Sequence, residues 1–233
     1  MHAHAPAPAT PALPAHIQPV ELAHAYRLLN HGPTVLVSTA HQGQRNVMAA
    51  AWNMPLDFHP PKVAVVIDKA TATRSLLEAS GWFALNLPSV ALADATFTVG
   101  SVSARDNTPS TQPDKWTALG LATWQAPEHA NPTGHGAFAP VPAEAPPLLQ
   151  GCIGWLMCKL LPAPDMAQAH DLFLAEVTAA WADDRAFVGG KYRPPAQWPV
   201  ALRTLHHLGA GQFLVPGEAV QGHLLHPEAI QIS

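Results

Sequence analysis

The residues best suited to chemistry surround the start of a predicted helix. Thr71–Ala79 is amphipathic, and Thr71 or Thr73 is positioned to cap its first turn. The free N–H groups and the positive dipole end of a helix attract anions, above all phosphate. Lys69 and Arg74 add positive charge beside those groups. The pattern indicates an anion site, although ordinary capping with two solvated cations has the same spacing.

A run of small residues lies upstream of this helix. The predicted strand Asn46–Asn53 contains Ala49, Ala50 and Ala51, although alanine is a poor strand former. One explanation is that small side chains let a flat molecule approach the backbone. The other is a tightly packed hairpin, and composition alone gives the two explanations equal weight.

A second group of polar and positive residues lies in or beside the loop Gly100–Pro113. The loop contains Ser101, Ser103 and Arg105, and Lys115 follows it closely. A loop with this composition could close over a phosphate. A solvated loop is the more common arrangement, and it is the favoured interpretation.

The 14 histidines do not show the spacing of a metal site. The sequence contains no HxxxH, HExxH or Cys/His ligand set, so no metal is expected. It also contains no GxSxG nucleophile elbow. His170 is predicted to open a long strand and to be a surface residue rather than a general acid or base.

The composition narrows the class of protein. The chain of 233 residues has a formal net charge of -4, and charged residues make up only 12%. Nucleic-acid binders normally carry a basic stripe, so that class is excluded. The apolar runs have the length of strands rather than about 20 residues, so no membrane span is expected.

Cysteine content and terminal composition bear on location and domain organisation. Cys152 and Cys158 do not make a disulfide framework, and we expect reduced core thiols in a cytoplasmic protein. Residues 1–18 are rich in Ala, Pro and His, lack the features of a signal peptide, and are expected to be a disordered tail. Residues 19–233 are expected to form one domain with a surface insertion at about 126–147.

Strands dominate the predicted secondary structure. Besides the helix that begins at Thr71, helices are expected at Pro19–Asn30 and Ala91–Phe97, and Asp114-Lys115-Trp116 is expected to begin a helical turn leading to Leu119. Apolar and β-branched runs between turn residues predict the strands. These are Thr34–Thr39, Asn46–Asn53, Lys62–Asp68, Trp82–Leu87, Leu148–Leu161 and Asp171–Trp181.

The order of these segments resembles that of the flavin reductase-like family, whose fold is the FMN-binding split barrel. The similarity runs from about Leu28 to Val215 and rests on seven motifs in the family's order. They are HGPTVLVST, NVMAAAW, HPPKVAVVID, TRSLLEASGWFALNL, DKW, PPLLQGCIGWLMCKL and HDLFLAEV. None of the motifs is specific alone, but their common order is.

The resemblance implies a fold and a cofactor. The expected fold is all-β dominated with peripheral helices, a six-stranded antiparallel split β-barrel of Greek-key type. A homodimer is expected, with FMN in a groove near the subunit interface and FAD as the alternative flavin. NADH or NADPH is expected as the reductant.

The family's binding residues map onto three groups in this sequence. The first group would lie along the isoalloxazine ring, the second would hold the ribityl phosphate or its surroundings, and the third would complete the pocket. In that order they are Asn46, Val47, Met48, Ala49, Ala50, Ala51 and Trp52; Asp68, Lys69, Thr73 and Arg74; and Asn86, Ser101, Ser103 and Arg105.

Two further matches and two departures complete the comparison with the family pattern. His170 matches the His that begins the family's penultimate motif and is a weak catalytic candidate, and Glu176 matches the Glu of its Gly-Glu-Val. The family often has Thr and Ser where this chain has Ala49–Ala51, so hydrogen bonds to the flavin edge must come from backbone N–H groups. Ala175 replaces the usual Gly.

The resemblance implies an oxidoreductase in which the flavin performs the chemistry and no protein residue is required as a base or nucleophile. Hydride would pass from NAD(P)H to flavin, and electrons would pass on to oxygen, free flavin or a partner monooxygenase. A non-catalytic FMN-binding electron carrier is the alternative. A haem-handling split barrel that uses one of the histidines is a third, weaker hypothesis.

Overall fold

The computed structural model describes residues 12–25, 28, 32–102, 115–126 and 142–222. Strands dominate these residues, as expected, and short helices pack around them. The helices are α1 Leu22–Ala25, α2 Ala72–Ser80, α3 Ala93–Ser101, α4 Lys115–Ala118 and α5 Pro164–His170. The strands are β1 Ile17–Pro19, β2 Val35–His41, β3 Gln44–Ala50, β4 Asn53–Phe58, β5 Pro61–Val66, β6 Trp82–Pro88, β7 Thr123–Trp124, β8 Leu148–Leu149, β9 Cys152–Leu160, β10 Leu172–Asp183, β11 Phe187–Val188, β12 Lys191–Tyr192, β13 His206–Gly209 and β14 Gln212–Leu214.

One antiparallel sheet forms the body of the fold. Its strand order is β3-β2-β6-β9-β10-β5-β4, and β1 pairs with the end of β10. The outer strands β3 and β4 are consecutive in the chain, separated only by Ala51 and Trp52. Two residues can bridge a gap of no more than about 10 Å, so the sheet must curl until its edges approach each other. We call the opening between the ends of β3 and β4 the slit.

The sheet has eight strands in the described residues, whereas the sequence predicted a six-stranded barrel. The additional strands are β1 and β4. The predicted strand Asn46–Asn53 ends at Ala50, and β4 begins only after a break at Ala51. Pro55 made β4 hard to recognise as a strand from the sequence, because proline is tolerated in a sheet only at edges and bulges. β4 has both features, since it is an outer strand and its register shifts after Pro55.

The central strands are buried on both faces, which explains their continuous apolar sequence. In β6, Phe83, Leu85 and Leu87 belong to one apolar cluster, and Ala84 belongs to a second cluster on the opposite face. Successive side chains of a strand point to opposite faces, so the sheet separates two cores.

A β-bulge keeps the long strand β10 in register with both cores. The pairing of β10 with β9 shifts at Thr178. Ala175 and Val177 belong to the first core before the bulge, and Ala180 and Ala182 belong to it afterwards. The extra residue therefore changes the inward positions from odd to even numbers.

Three other sequence predictions need correction. The helix expected at Pro19–Asn30 is preceded by β1, which pairs with the end of β10 and includes part of the tail expected at residues 1–18. The strand expected at Leu148–Leu161 is divided into β8 and β9 by a turn in which Gly151 has φ +83°. Residues before β10 form α5, so His170 ends a helix instead of opening a strand.

The end of the predicted insertion packs on the β2–β3 hairpin. The Glu144 carboxylate accepts hydrogen bonds from the backbone N–H groups of Gln42 and Gly43. The Ser38 hydroxyl donates to the carbonyl of Pro147 at 2.6 Å. Residues 127–141 of the insertion lie outside the described ranges. In the part of the chain described, none of the helices combines the length and hydropathy needed to cross a bilayer.

Asn86 joins three segments in the centre of the sheet. It is fully buried, and its amide nitrogen donates to the Leu36 carbonyl at 2.8 Å and to the Ser38 hydroxyl at 3.0 Å. Its amide oxygen accepts from the Leu149 N–H at 2.9 Å. Both ends of the side chain are thus occupied by partners within the protein.

We expect Asn86→Ala to lower the free energy of unfolding by about 3 kcal/mol, because each buried polar group left without a partner costs about 1–3 kcal/mol. Urea denaturation followed by circular dichroism measures this change. Gln44→Ala removes an exposed amide from the same sheet and is expected to change stability by less than about 0.5 kcal/mol. Equal stability of the two variants would contradict the structural role of Asn86.

Candidate functional site

A cavity of about 380 Å³ lies at the slit. It is bounded by the end of β3, by α3 and by the C-terminal hairpin β13–β14, and its volume is in the range of small-molecule sites. The lining residues are Thr34, Met48, Ala49, Ala50, Ala51, Trp52, Val66, Asp68, Thr96, Phe97, Gly100, Ser101, His207 and Phe213.

The segment Met48–Trp52 forms one wall of the cavity. β3 is an outer strand, so its backbone N–H and C=O groups that face away from β2 have no neighbouring strand. Beyond β3, the Trp52 carbonyl accepts from the Val66 N–H of β5 at 3.0 Å. A Cβ atom on Gly100 of α3 would lie 3.2 Å from the Cβ of Ala49. The small residues therefore let α3 pack closely on one part of the segment and leave backbone accessible elsewhere. Close packing therefore explains part of the alanine run, and the approach of a flat molecule to the rest stays a prediction.

Aromatic rings from two other elements also line the cavity. Phe97 comes from α3, and His207 and Phe213 come from β13–β14. The ring centroids of His207 and Phe213 are 5.8 Å apart. Sequence reasoning missed all three residues. The turn Gly209–Gly211 between two short apolar runs was the available signal, since such a turn marks a hairpin.

Arg74 is a structural cation. It is buried, and its guanidinium donates to the carboxylates of Glu78 and Asp171 and to the carbonyl of Ala167. It also lies over the ring of Phe173, 5.1 Å from the centroid. Arg74 therefore fastens α2 to α5 and to the start of β10, and two carboxylates already balance its charge.

The other residues predicted at the helix start also have protein partners. Thr71 caps α2, because its hydroxyl accepts from the Arg74 N–H at 3.3 Å. The Thr73 hydroxyl accepts from the Asn46 amide at 3.0 Å in a buried contact. Lys69 Nζ donates to the Gln168 carbonyl at 2.6 Å.

Asp68 and Lys115 occupy contrasting positions. Asp68 lines the cavity, and its carboxylate accepts from the Ala70 N–H at 2.6 Å. Lys115 is buried and donates to the carbonyls of Val47 and Val99 at 3.3 and 3.2 Å. The solvated position expected for Lys115 is therefore wrong, because its ammonium group holds α3 and β3 together.

The structure thus divides the predicted binding residues into two groups. Those that line the cavity are Met48, Ala49, Ala50, Ala51, Trp52, Asp68 and Ser101. Those placed outside its lining are Asn46, Val47, Lys69, Thr73, Arg74 and Asn86. Ser103 and Arg105 lie outside the described residues. Contacts of all these residues with a cofactor stay predictions.

The described residues provide neither a metal cluster nor support for the weak catalytic candidate His170. Within the ranges described, no group of three His, Cys, Asp or Glu residues is arranged to hold a metal ion. His170 is exposed at the end of α5 and does not line the cavity. Cys152 and Cys158 are free and buried, and burial raises the pKa of both thiols, which makes them poor nucleophiles.

The ion pair of Arg74 makes stability depend on pH through Asp171. Desolvation alone would raise the pKa of the Asp171 carboxyl, but hydrogen bonds and charges from Arg74 and Lys69 hold it below 3.8. A lowered folded-state pKa stabilises the protein above the unfolded-state pKa. That stability is lost as pH falls through the folded-state pKa.

We expect Asp171→Asn to be less stable than the wild type at neutral pH and nearly as stable in acid. Asn tolerates the left-handed backbone found at this position, where φ is +55°, so the substitution tests the charge. Urea unfolding from about pH 7 to about pH 2 should show the two stabilities converging below about pH 4. Glu218→Gln removes an exposed charge as the control and should leave stability unchanged. A stability difference that is independent of pH would contradict the assignment.

Comparisons with known proteins agree with this geometry. The model of the family described as "Flavin reductase like domain" matches residues 27–196. The uncharacterized protein YddH of Escherichia coli is 41% identical over 204 residues, which cover 87% of this chain and 96% of YddH.

Solved structures show the same fold. A crystal structure of an FMN-binding domain of a flavin reductases-like enzyme from Shewanella baltica is 42% identical, with a TM-score of 0.77 and coverage of 89% of this chain and 97% of that one. Flavoredoxin of Desulfovibrio vulgaris shares the fold at 21% identity and a TM-score of 0.60, with coverage of 82% and 90%. The expected split-barrel fold is confirmed, and the chain belongs to the flavin reductase-like family.

Proposed function

We propose that the chain binds FMN in the slit cavity and acts as an NAD(P)H-dependent oxidoreductase. The observation that carries the proposal is the cavity wall Met48–Trp52, which the family resemblance assigns to the isoalloxazine ring. The 42% identical Shewanella baltica protein, an FMN-binding domain, supports the choice of flavin. Electrons would pass to oxygen, to free flavin or to a partner monooxygenase.

The wall suits a flat heterocycle with a polar edge. Alanine side chains at positions 49–51 leave room for a ring to lie against the strand. An outer strand offers both N–H donors and C=O acceptors, and an isoalloxazine edge has groups complementary to each. Backbone groups would thereby replace the hydroxyls that the family often has at these positions.

The charges around the cavity favour one arrangement of the FMN tail. The Asp68 carboxylate is an acceptor and suits ribityl hydroxyl groups, whereas it would repel a phosphate. Arg74 is already balanced by Asp171 and Glu78. We therefore place the phosphate toward Lys69 and the start of α2, where helix N–H groups and a partly exposed ammonium provide positive potential.

FMN, when bound, would supply the redox chemistry by accepting hydride from a reduced nicotinamide and passing the electrons on. The protein would orient the ring with Met48–Trp52 and limit water with α3 and β13–β14. Within the family, FAD stays the alternative flavin and a non-catalytic electron carrier the alternative function. We also keep the cytoplasm as the proposed location, where Cys152 and Cys158 would stay reduced.

The direct test is to titrate the purified protein with FMN and then with NADH or NADPH without oxygen. A bound-flavin absorbance spectrum that bleaches on addition of reduced nicotinamide is expected. A flavin that binds but is not reduced would favour the electron carrier. Failure to bind FMN would reject the proposal, and a Soret band on haem titration would revive the haem hypothesis.

We expect Ala51→Leu to weaken FMN binding by about tenfold, because the added side chain occupies the wall against which the ring would lie. Fluorescence quenching of FMN measures the dissociation constant. Ala51 is exposed, so the fold should tolerate the substitution. Ala79→Leu adds the same volume at an exposed position of α2 outside the cavity, and its affinity should equal that of the wild type. Equal affinities of both variants would place FMN elsewhere.

A homodimer is part of the proposal, and an exposed apolar stripe supports it. The stripe consists of alternate residues of β4 together with Trp52, which precedes the strand. The exposed fractions are 75% for Trp52, 54% for Met54, 45% for Leu56 and 65% for Phe58. Contiguous apolar surface on an outer strand is typical of an interaction site. Because Trp52 also lines the cavity, a second copy that covers the stripe would lie near the proposed FMN.

We expect the double variant Leu56→Asp with Phe58→Asp to be monomeric, because two carboxylates would be buried without partners in the dimer. Size-exclusion chromatography with light scattering measures the mass. Val188→Asp is the control, since Val188 has a similar exposure of 43% outside the stripe. A wild type that is monomeric at micromolar concentration would contradict the dimer.

A further inference from the structure

The C-terminal hairpin β13–β14 contributes to the cavity although it lies beyond the region matched by the family model. That model ends at residue 196, and the hairpin spans His206–Leu214. It supplies His207 and Phe213 to the lining. The hairpin β13–β14 therefore contributes to the cavity although it lies outside the residues matched by the family model.

The hairpin is fixed at its base and at its turn. At the base, the His207 N–H donates to the Thr34 hydroxyl at 3.1 Å, and the Thr34 N–H donates to the Leu205 carbonyl at 2.7 Å. At the turn, Gly211 has φ +77° and lies so close to Phe97 that a Cβ atom would be 3.2 Å from the ring. These contacts hold the hairpin against α3 and β2.

The rings of Phe97 and His207 are exposed at the cavity instead of being packed in a core. Phe97 is 46% exposed, and His207 is also exposed, yet both line the cavity. The planes of His207 and Phe213 are inclined at 56°. Tilted and offset arrangements are the geometries in which aromatic rings attract each other, so an accessible cluster of this kind can accept another ring.

We propose that Phe97, His207 and Phe213 form a subsite for a second planar ring, which would pack against the FMN proposed for the Met48–Trp52 wall of the same cavity. This inference rests on the proposed FMN site. The ligand of this subsite would have a flat, conjugated ring. Two kinds of compound supply such a ring: the nicotinamide of the reductant, or an aromatic electron acceptor such as a quinone. Dioxygen is too small to require the subsite.

Two conservative substitutions test the subsite. Phe213→Leu and Phe97→Leu each remove one ring and keep an apolar side chain. Leu208→Ala is the control, because Leu208 is on the same hairpin, is 64% exposed and does not line the cavity. The FMN dissociation constant is measured first for each protein, and a thermal melt checks folding.

The kinetic experiment has a reductive and an oxidative arm. In the first, stopped-flow absorbance follows reduction of the FMN-loaded protein by NADH and by NADPH. In the second, the photoreduced protein is reoxidised by a naphthoquinone or by dioxygen. We expect the half-saturating concentration of one ring compound to rise about fivefold to tenfold in both Leu variants, the size of one lost aromatic contact. FMN affinity should fall by less than the affinity for that ring compound, and the Leu208→Ala control should keep all of these values within about twofold of the wild type.

The arm that changes identifies the ring as nicotinamide or quinone. Unchanged half-saturation in both arms would overturn the subsite while leaving FMN binding intact. A loss of FMN affinity equal to the loss for the ring compound would also overturn it, because the rings would then hold FMN itself. A wild type without FMN affinity rejects the proposed function, which is a separate result.

Discussion

The short connection between β3 and β4 is the constraint on which the site depends. These strands are the two outer members of the sheet, yet only Ala51 and Trp52 link them. A sheet whose opposite edges are joined so closely must curl, yet in the described residues β3 and β4 are not paired with each other. The cavity lies in the gap that remains there, with Met48–Trp52 along one wall.

The remainder of the fold makes this gap stable. The sheet has an apolar core on each face, and the bulge in β10 lets one strand serve both cores along its length. Arg74 and Lys115 contribute from opposite sides, since one fastens α2 to α5 and the other fastens α3 to β3. Burial of a cation is costly without partners, and each has several. These two buried cations therefore hold elements of the fold together.

The sequence predicted those features that depend on neighbouring residues. The Thr71 cap of α2 is local chemistry, and it is confirmed. The family resemblance located the Met48–Trp52 wall, which composition could not separate from an ordinary hairpin. The ion pair of Arg74 could not be read from the sequence, because its partner Asp171 is 97 residues away in the chain. The aromatic lining was missed for the same reason, since Phe97 and Phe213 come to one cavity only through the fold.

Trp52 has a consequence for how the molecule can be observed. The chain contains seven tryptophans, all within the described residues, and Trp52 is the one that is largely exposed; the other six are buried or half-buried. Its indole is shared by the cavity rim and the apolar stripe of β4. Intrinsic emission from a solvent-facing indole should therefore respond both to filling of the cavity and to covering of the stripe. If a ligand in the cavity and a second copy on the stripe both contact this side chain, each would change the apparent affinity of the other.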